Sequence, residues 1–280
     1  MKHLRKIICV LLGIGFLLSI NMVQTFAAGS AMTDWDREII TGTGYGVADP
    51  AKAKNPGHAR IMAHQAAILD AFRRLAEQAK GIHVTATSSI SDNISTGDVV
   101  IGEVDAVVKR ARVVSENYDE YGNCSVVMEV PLFGVNNSIA KAVLKPVAKE
   151  AFPAPTVNET TIQSTVNVTI TGGYTGLIID CSGLGLKPVM SPVIRNANQQ
   201  PIYGYKNLDY DRVIDKGMAS YASGMSGNLS RAGSNPLIIK AVRVEDHNSY
   251  PVVDTADADR ILLENQKSHF LDSCAVVFVR

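Results

Sequence analysis

Asp180, Cys181, Ser182 and Gly183 stand in a row at the end of the apolar run Thr175–Cys181. An acid, a thiol and a hydroxyl beside a glycine are the ingredients of a nucleophilic turn. There a Ser or Cys is lifted on a tight strand-to-helix bend and a neighbouring His takes its proton. The pattern departs from that motif. Gly183 follows Ser182 directly, and Leu184–Pro188 comes where a helix would start, with Pro188 arguing against one. Gly224-Met225-Ser226-Gly227 also lacks the motif, and no strand precedes it. Asp180 nonetheless ends an apolar strand, the edge of an α/β sheet that ligands favour. Asp180, Cys181 and Ser182 are therefore the candidate ligand-facing residues of a small-ligand module or hydrolase, with the Gly- and Ser-rich Ala222–Asn235 stretch as its lid. The alternative role of Asp180 is a contact to its own glycine turn.

Other chemistry-bearing residues are dispersed. His58, His64, His83, His247 and His269 show no HxxxH pair and no zinc spacing to Cys, so no metal and no cofactor is expected. Gly42-x-Gly44-x-Gly46 is not a phosphate cradle, because the spacing is wrong and the helix starts about nine residues later instead of at once. Glycines so placed on a strand mark a bulge or a close approach of another backbone. Asp70 has Arg73 and Arg74 as salt-bridge partners within one turn, or the sheet edge as a capping contact. Beyond Cys9, Cys124, Cys181 and Cys274 read as three small buried hydrophobes; if a disulfide forms, Cys181–Cys274 is the pair, each abutting an apolar strand. Six Asn-x-Ser/Thr triplets, the first at Asn93, read as polar turns.

These residues need elements to hold them. Asn55–Gly81 is the main one. Ile61, Ile68, Phe72, Leu75 and Ala79 share one stripe of a helix, Asn55 and Pro56 suit its start, and Gly81 suits a left-handed end. Six alanines from Ala59 to Ala76 give it a small-residue surface that can lie close on a sheet. Strands are expected over Glu38–Val47, Ile82–Ser88, Val99–Val108, Ala111–Glu116 and Cys124–Val130, the last with Cys124, Val126, Met128 and Val130 inward. Trp35 packs at the rim of this sheet. Asn137–Glu150 reads as a short helix interrupted by Pro146. One helix on one face of an antiparallel sheet is the economical packing.

Phe152–Pro155 and the polar run after it read as a linker over 151–165. The second unit, 166–280, has strands at Val166–Ile170, Thr175–Cys181, Pro188–Ile194, Pro201–Tyr205, Pro236–Val244, Val252–Val253 and Ala275–Val279, the last paired inside its sheet. Helices are expected over Asp211–Tyr221 and Asp257–Ser268, the latter capped by Asp254. The fold class is α+β: one long helix packed on an antiparallel sheet over 32–150, followed by a second, smaller α/β domain.

The first residues carry an address. Lys2, Arg5 and Lys6 precede an apolar core of about 14 residues, short of the roughly 20 that span a bilayer, and Thr25-Phe26-Ala27 offers small residues for cleavage. Residues 1–27 read as a secretory signal peptide cleaved after Ala27, with Ala28 and Ala31 as alternative sites and an uncleaved membrane anchor as the competing reading. Cys9 lies inside the apolar core, so no lipid anchor is expected. Cleavage removes three basic residues and no acids, leaving 24 Lys+Arg against 27 Asp+Glu and a net charge of −3. Nucleic acid is a poor partner for such a chain.

The Gly-x-Gly strand, then Ala63, Ala67, Asp70-Ala71, Leu75 and Gly81, then Ile101-Gly102, Val104, Tyr121-Gly122 and Val130-Pro131-Leu132-Phe133-Gly134, together resemble the lipoprotein 20 family of bacterial envelope proteins. The layout over residues 38–140 is also similar to the N-terminal domain of flagellar assembly protein T. Thr175–Asp180 through Pro188, Ser191 and Pro192 is similar to a segment that follows this domain in longer envelope relatives. The resemblance implies an α/β domain on the periplasmic side of the envelope, with a binding or assembly role and no catalytic residues to carry over. The lipidated Cys of that family has no counterpart here, which favours a periplasmic or peripherally membrane-associated protein. The expected partners are other envelope proteins or further copies of the chain.

Overall fold

The computed structural model describes residues 29–92, 97–160, 162 and 169–280. The expected signal peptide, residues 161 and 163–165 of the expected linker and most of the expected strand at 166–170 lie outside the described residues. The first domain contains β1 (Ala31–Asp34), β2 (Ile39–Gly46), α1 (Pro56–Lys80), α2 (Gly97–Val108), β3 (Arg112–Tyr118), β4 (Cys124–Pro131) and α3 (Ile139–Val143). Its four strands form an antiparallel sheet in the order β1-β2-β4-β3, and α1 lies across one face of β2 and β4.

The seating of α1 follows from its smallest residues. Ala59, Ala63, Ala67, Ala71, Leu75 and Ala79, spaced by four, are buried against the sheet. They meet Gly42, Gly44 and Gly46, which share the inward face of β2. A Cβ at Gly44 would sit 2.1 Å from the Ala67 carbonyl oxygen, and one at Gly46 only 1.8 Å from that of Ala63. Backbone therefore touches backbone, the role that closely spaced strand glycines serve. This corrects the apolar stripe. Leu75 and Ala79 are on it, Ile68 and Phe72 flank it half-buried, and Ile61 is 58% exposed. A flat glycine surface admits only small side chains, so alanine outranked isoleucine for the central contact.

Asn55 caps α1 by accepting from the His58 N–H at 2.8 Å, with Pro56 in the first turn. Gly81 does not turn left-handed. It stays near φ −80° and donates to the Gln78 carbonyl. Asp70 makes both kinds of contact foreseen for it: Arg73 and Arg74 lie at 2.8 and 2.9 Å, and its Oδ2 accepts from the Tyr45 N–H of β2.

Three expectations change in this half. Val99–Val108 belongs to α2; its buried Val104, Val107 and Val108 recur at helical spacing, which overrode the β-propensity of valine. Ile82–Ser88 keeps its alternation, with Ile82, Val84 and Ala86 buried, yet joins no ladder beyond one bridge between His83 and Ser89. The carbonyls of His83 and Val84 instead accept from the Met190 and Ser191 N–H groups of the second domain. The helix expected over Asn137–Glu150 is confined to α3. β3, an edge strand exposed for most of its length, carries a bulge between Val113 and Ser115, which discourages further strand pairing.

The second domain comprises β5 (Gly176–Asp180), β6 (Ile194–Asn196), β7 (Pro201–Tyr203), α4 (Tyr210–Lys216), β8 (Ser220–Ala222), β9 (Pro236–Lys240), β10 (Arg243–Glu245), β11 (Tyr250–Val253), α5 (Thr255–Ser268) and β12 (Val276–Val279). One sheet is wholly parallel, β8-β12-β5-β9; the other, β10-β11-β6-β7, is mixed. β12 is buried at every residue, as a strand covered on both faces of a parallel sheet should be. Asp254 caps α5 by accepting from the Ala256 N–H.

The strand expected at Pro188–Ile194 is irregular up to β6, and Pro236–Val244 divides into β9 and β10. The helix expected over Asp211–Tyr221 stops at Lys216, where Gly217 takes φ +74° with Phe133 against its Cα.

The described part of the expected linker is a packed strap. The Phe152 ring stacks on Tyr203 at 6.3 Å, and Asp259 of α5 accepts from both the N–H and the hydroxyl of Thr156. Glu264, wholly buried, accepts from the N–H groups of Thr171 and Gly172. The domains touch directly as well: Trp35 meets the Tyr221 ring edge-on at 5.5 Å, and the Gly134 N–H donates to the Ile214 carbonyl. One apolar core runs through both. Among the described residues, no helix is long and apolar enough to cross a membrane.

Candidate binding cleft between the domains

The β1–β2 hairpin forms one wall of a cleft of about 740 Å³; the other wall belongs to the second domain. The hairpin turn is set locally. Asp34 Oδ1 accepts from the N–H groups of Asp36 and Arg37, and Glu38 closes the turn at φ +56°. Asp36, Arg37 and Glu38 are thereby presented outward. Opposite them stand Asp215 and Lys216 from the last turn of α4, Ser220 at the start of β8, Asn228, Ser230 and Arg231 from the loop before β9, and Ser273 to Ala275 before β12. The strands of this sheet run parallel, so the starts of β8 and β12 lie along one edge.

Glu38 and Arg231 join across the cleft. Arg231 Nη2 donates to Glu38 Oε1 at 2.6 Å, and its Nη1 donates to the Gly217 carbonyl. Burial raises the Glu38 carboxyl above its ordinary value, and the attraction of Arg231 does not fully cancel this. Two further polar atoms on the walls, Asp36 Oδ1 and Ser220 Oγ, are shut from solvent and have no partner among the described residues. Buried polar atoms ordinarily find one.

The ion pair yields a signed prediction. A carboxyl raised in the folded state works against folding while ionised and favours it as the pH falls through the folded value. Arg231→Met takes away the compensating cation and raises Glu38 further. The variant should be less stable than the parent by about 1–3 kcal/mol near pH 7. The deficit should shrink at an acidic pH, as Glu38 takes up a proton. Urea denaturation at the two pH values measures it, and a deficit that grows on acidification would refute the assignment.

The candidate residues of the Asp180 turn lie elsewhere. Asp180 ends β5 at the opposite edge of the parallel sheet from the cleft. Its Oδ1 accepts from the Ser182 N–H at 2.9 Å, and this bonding to Ser182 holds the carboxyl below its usual value. It serves its own turn. Cys181 is buried with its N–H on the Val279 carbonyl, while Ser182 is exposed, so the three do not converge. Only the Ala222–Asn235 loop, expected as a lid, contributes to the cleft, through Asn228, Ser230 and Arg231.

Cys124, Cys181 and Cys274 are free and buried, so the Cys181–Cys274 bridge is not formed. Burial, with the Asp180 carboxylate nearby, pushes the Cys181 thiol up to about 12, and burial also raises Cys124 and Cys274. Thiols so placed are poor nucleophiles. A neutral-pH thiol reagent should label none of the three in the folded chain and all three in urea; labelling of Cys181 or Cys274 in the folded chain would refute this. Among the described residues, no group of three or more His, Cys, Asp or Glu is arranged to hold a metal ion.

Nothing in the sequence marked the cleft, because its walls come from three distant stretches, each ordinary by itself. Its walls bring together hydrogen-bonding groups and side chains of both charges from the two domains.

No curated protein matches the chain. Residues 176–280, from the first residue of β5 onward and thus including both sheets of the second domain, match the family model described as Treponema pallidum Tp0624, second domain.

Proposed function

We propose that the chain is an exported bacterial cell-envelope protein with a non-catalytic binding or assembly role, and that it engages its partner or ligand in the interdomain cleft. The observation that carries this reading is the cleft itself, whose polar walls come from both domains and are bridged by Glu38 and Arg231. A site built this way needs both domains in one arrangement, which the shared core and the packed strap maintain.

Export is supported by the basic, apolar and small-residue pattern of residues 1–27. A bacterial setting is supported by the match of residues 176–280 to a domain of a Treponema pallidum protein and by the resemblance of residues 38–140 to the lipoprotein 20 family. That resemblance also suggests envelope or surface-appendage proteins as partners, with peripheral membrane association.

Cell fractionation combined with cross-linking tests the proposal. A photoreactive residue at Asn228 should capture an envelope component, while one at Lys240, on the far edge of the sheet, should not. Recovery in the cytoplasm, or equal capture from both positions, would overturn it.

A further inference from the structure

The charges on the cleft walls narrow what the cleft accepts. Six charged side chains line it: Asp36, Glu38 and Asp215, against Arg37, Lys216 and Arg231. Three are already spoken for. Glu38 pairs with Arg231, and Arg37 reaches Glu129 of β4 at 3.2 Å. Asp36, Asp215 and Lys216 make no ion pair among the described residues. Asp36 Oδ1 and Ser220 Oγ, both shut from solvent on the same walls, lack a partner among the described residues. The uncommitted charged set is thus two carboxylates and one ammonium.

Each simple ligand class leaves part of this set unanswered. An anion such as phosphate finds Lys216 but meets two carboxylates. A cation finds the carboxylates but meets Lys216. A neutral sugar supplies hydroxyls, yet the lining holds no aromatic ring for a sugar face to stack on. A molecule bearing both an ammonium and a carboxylate answers all three charges, with the ammonium toward the Asp36 and Asp215 carboxyls and the carboxylate toward Lys216. The volume of about 740 Å³ suits a small molecule.

Resting on the reading of the cleft as the binding site, we propose that it takes a small zwitterion, an amino acid or short peptide, held by charge at both ends. Charge-assisted hydrogen bonds at fixed positions make such a site selective for the separation of the two charges. Asp36 and Lys216 set that separation, one on each domain, so the ligand bridges them.

Titration calorimetry on the full chain tests this with L-alanyl-L-alanine as the probe. Its N-acetyl derivative, its C-terminal amide, inorganic phosphate and a neutral disaccharide are the comparisons. The dipeptide should bind, and capping either end should weaken binding about tenfold or more. Asp36→Asn and Lys216→Met should each weaken it about tenfold, while Asp180→Asn leaves it unchanged. Asp36→Asn is isosteric; should it still fail to fold, Lys216→Met, at an exposed position, carries the test alone. If the dipeptide does not bind, or the capped forms bind as well as the parent, the zwitterion proposal is overturned. Binding of the disaccharide or phosphate in its place, abolished by Arg231→Met, overturns the ligand class but leaves the cleft standing as the binding site. Equal cross-linking from Asn228 and Lys240 removes the cleft reading itself.

Discussion

Gly46→Ala is expected to destabilise the chain by about 3 kcal/mol or more, lowering the melting temperature by about 10 °C. The added methyl would lie 1.8 Å from the Ala63 carbonyl oxygen and 2.7 Å from the Ala67 nitrogen. Both are backbone atoms of α1, so no rotamer change relieves the clash. The helix must lift from β2, and every alanine of its contact row then loses dispersion contacts. Gly44→Ala should behave alike, with contacts of 2.1 and 2.2 Å to α1 backbone atoms. Gly102→Ala is the control. It is exposed on α2 with nothing within 4 Å, and alanine there should stabilise by about 0.5–1 kcal/mol. Thermal unfolding of the three variants decides the matter. Should Gly46→Ala melt with the parent, the close seating of α1 on β2 is wrong.

Glu264→Leu is the second large effect, expected to remove about 3 kcal/mol. The Glu264 carboxylate is fully buried on α5 and accepts at 3.1 Å from the Thr171 N–H and at 2.6 Å from the Gly172 N–H. Leucine fills the space but deprives both N–H groups of their acceptor, and a hydrogen bond to a charged group contributes about 1.5–3 kcal/mol. Glu264→Gln keeps one acceptor oxygen and should lose roughly half as much. Denaturant unfolding gives the magnitudes, and amide exchange localises them. Protection at Thr171 and Gly172 should fall in the leucine variant before that of β12. Unchanged exchange there would show that α5 does not hold this segment.

Of the elements around the cleft, β2, β9 and β12 were legible because their signals are local, whereas β1 went unread and most of β8 fell within the helix expected over Asp211–Tyr221. Asn55-Pro56 and Asp254 mark helix starts through contacts within a turn, and the alternation of Cys124, Val126, Met128 and Val130 reports one covered face of β4. The glycine row of β2 and the alanine row of α1 were each visible, but their meeting became evident only in three dimensions. α2 was hidden by valines, whose preference for strands is weak enough for packing to overrule. The cleft was hidden for a different reason. Glu38 meets Arg231 across 193 positions of sequence, and no spacing rule reaches so far. The Asp180 turn, conspicuous in the sequence, has its conspicuous residues engaged in closing a bend.

β12 joins β8 and β5, both of which precede it in the chain, as the strand between them. Until residues 276–279 emerge from the ribosome, those two strands have no shared neighbour and offer bare, apolar margins. The second domain therefore stays open through nearly all of its synthesis and closes by a long-range insertion, an intrinsically slow step. Throughout that interval the facing margins of β8 and β5 are open templates for strand pairing with another chain, which makes the unfinished domain the aggregation-prone state of the protein.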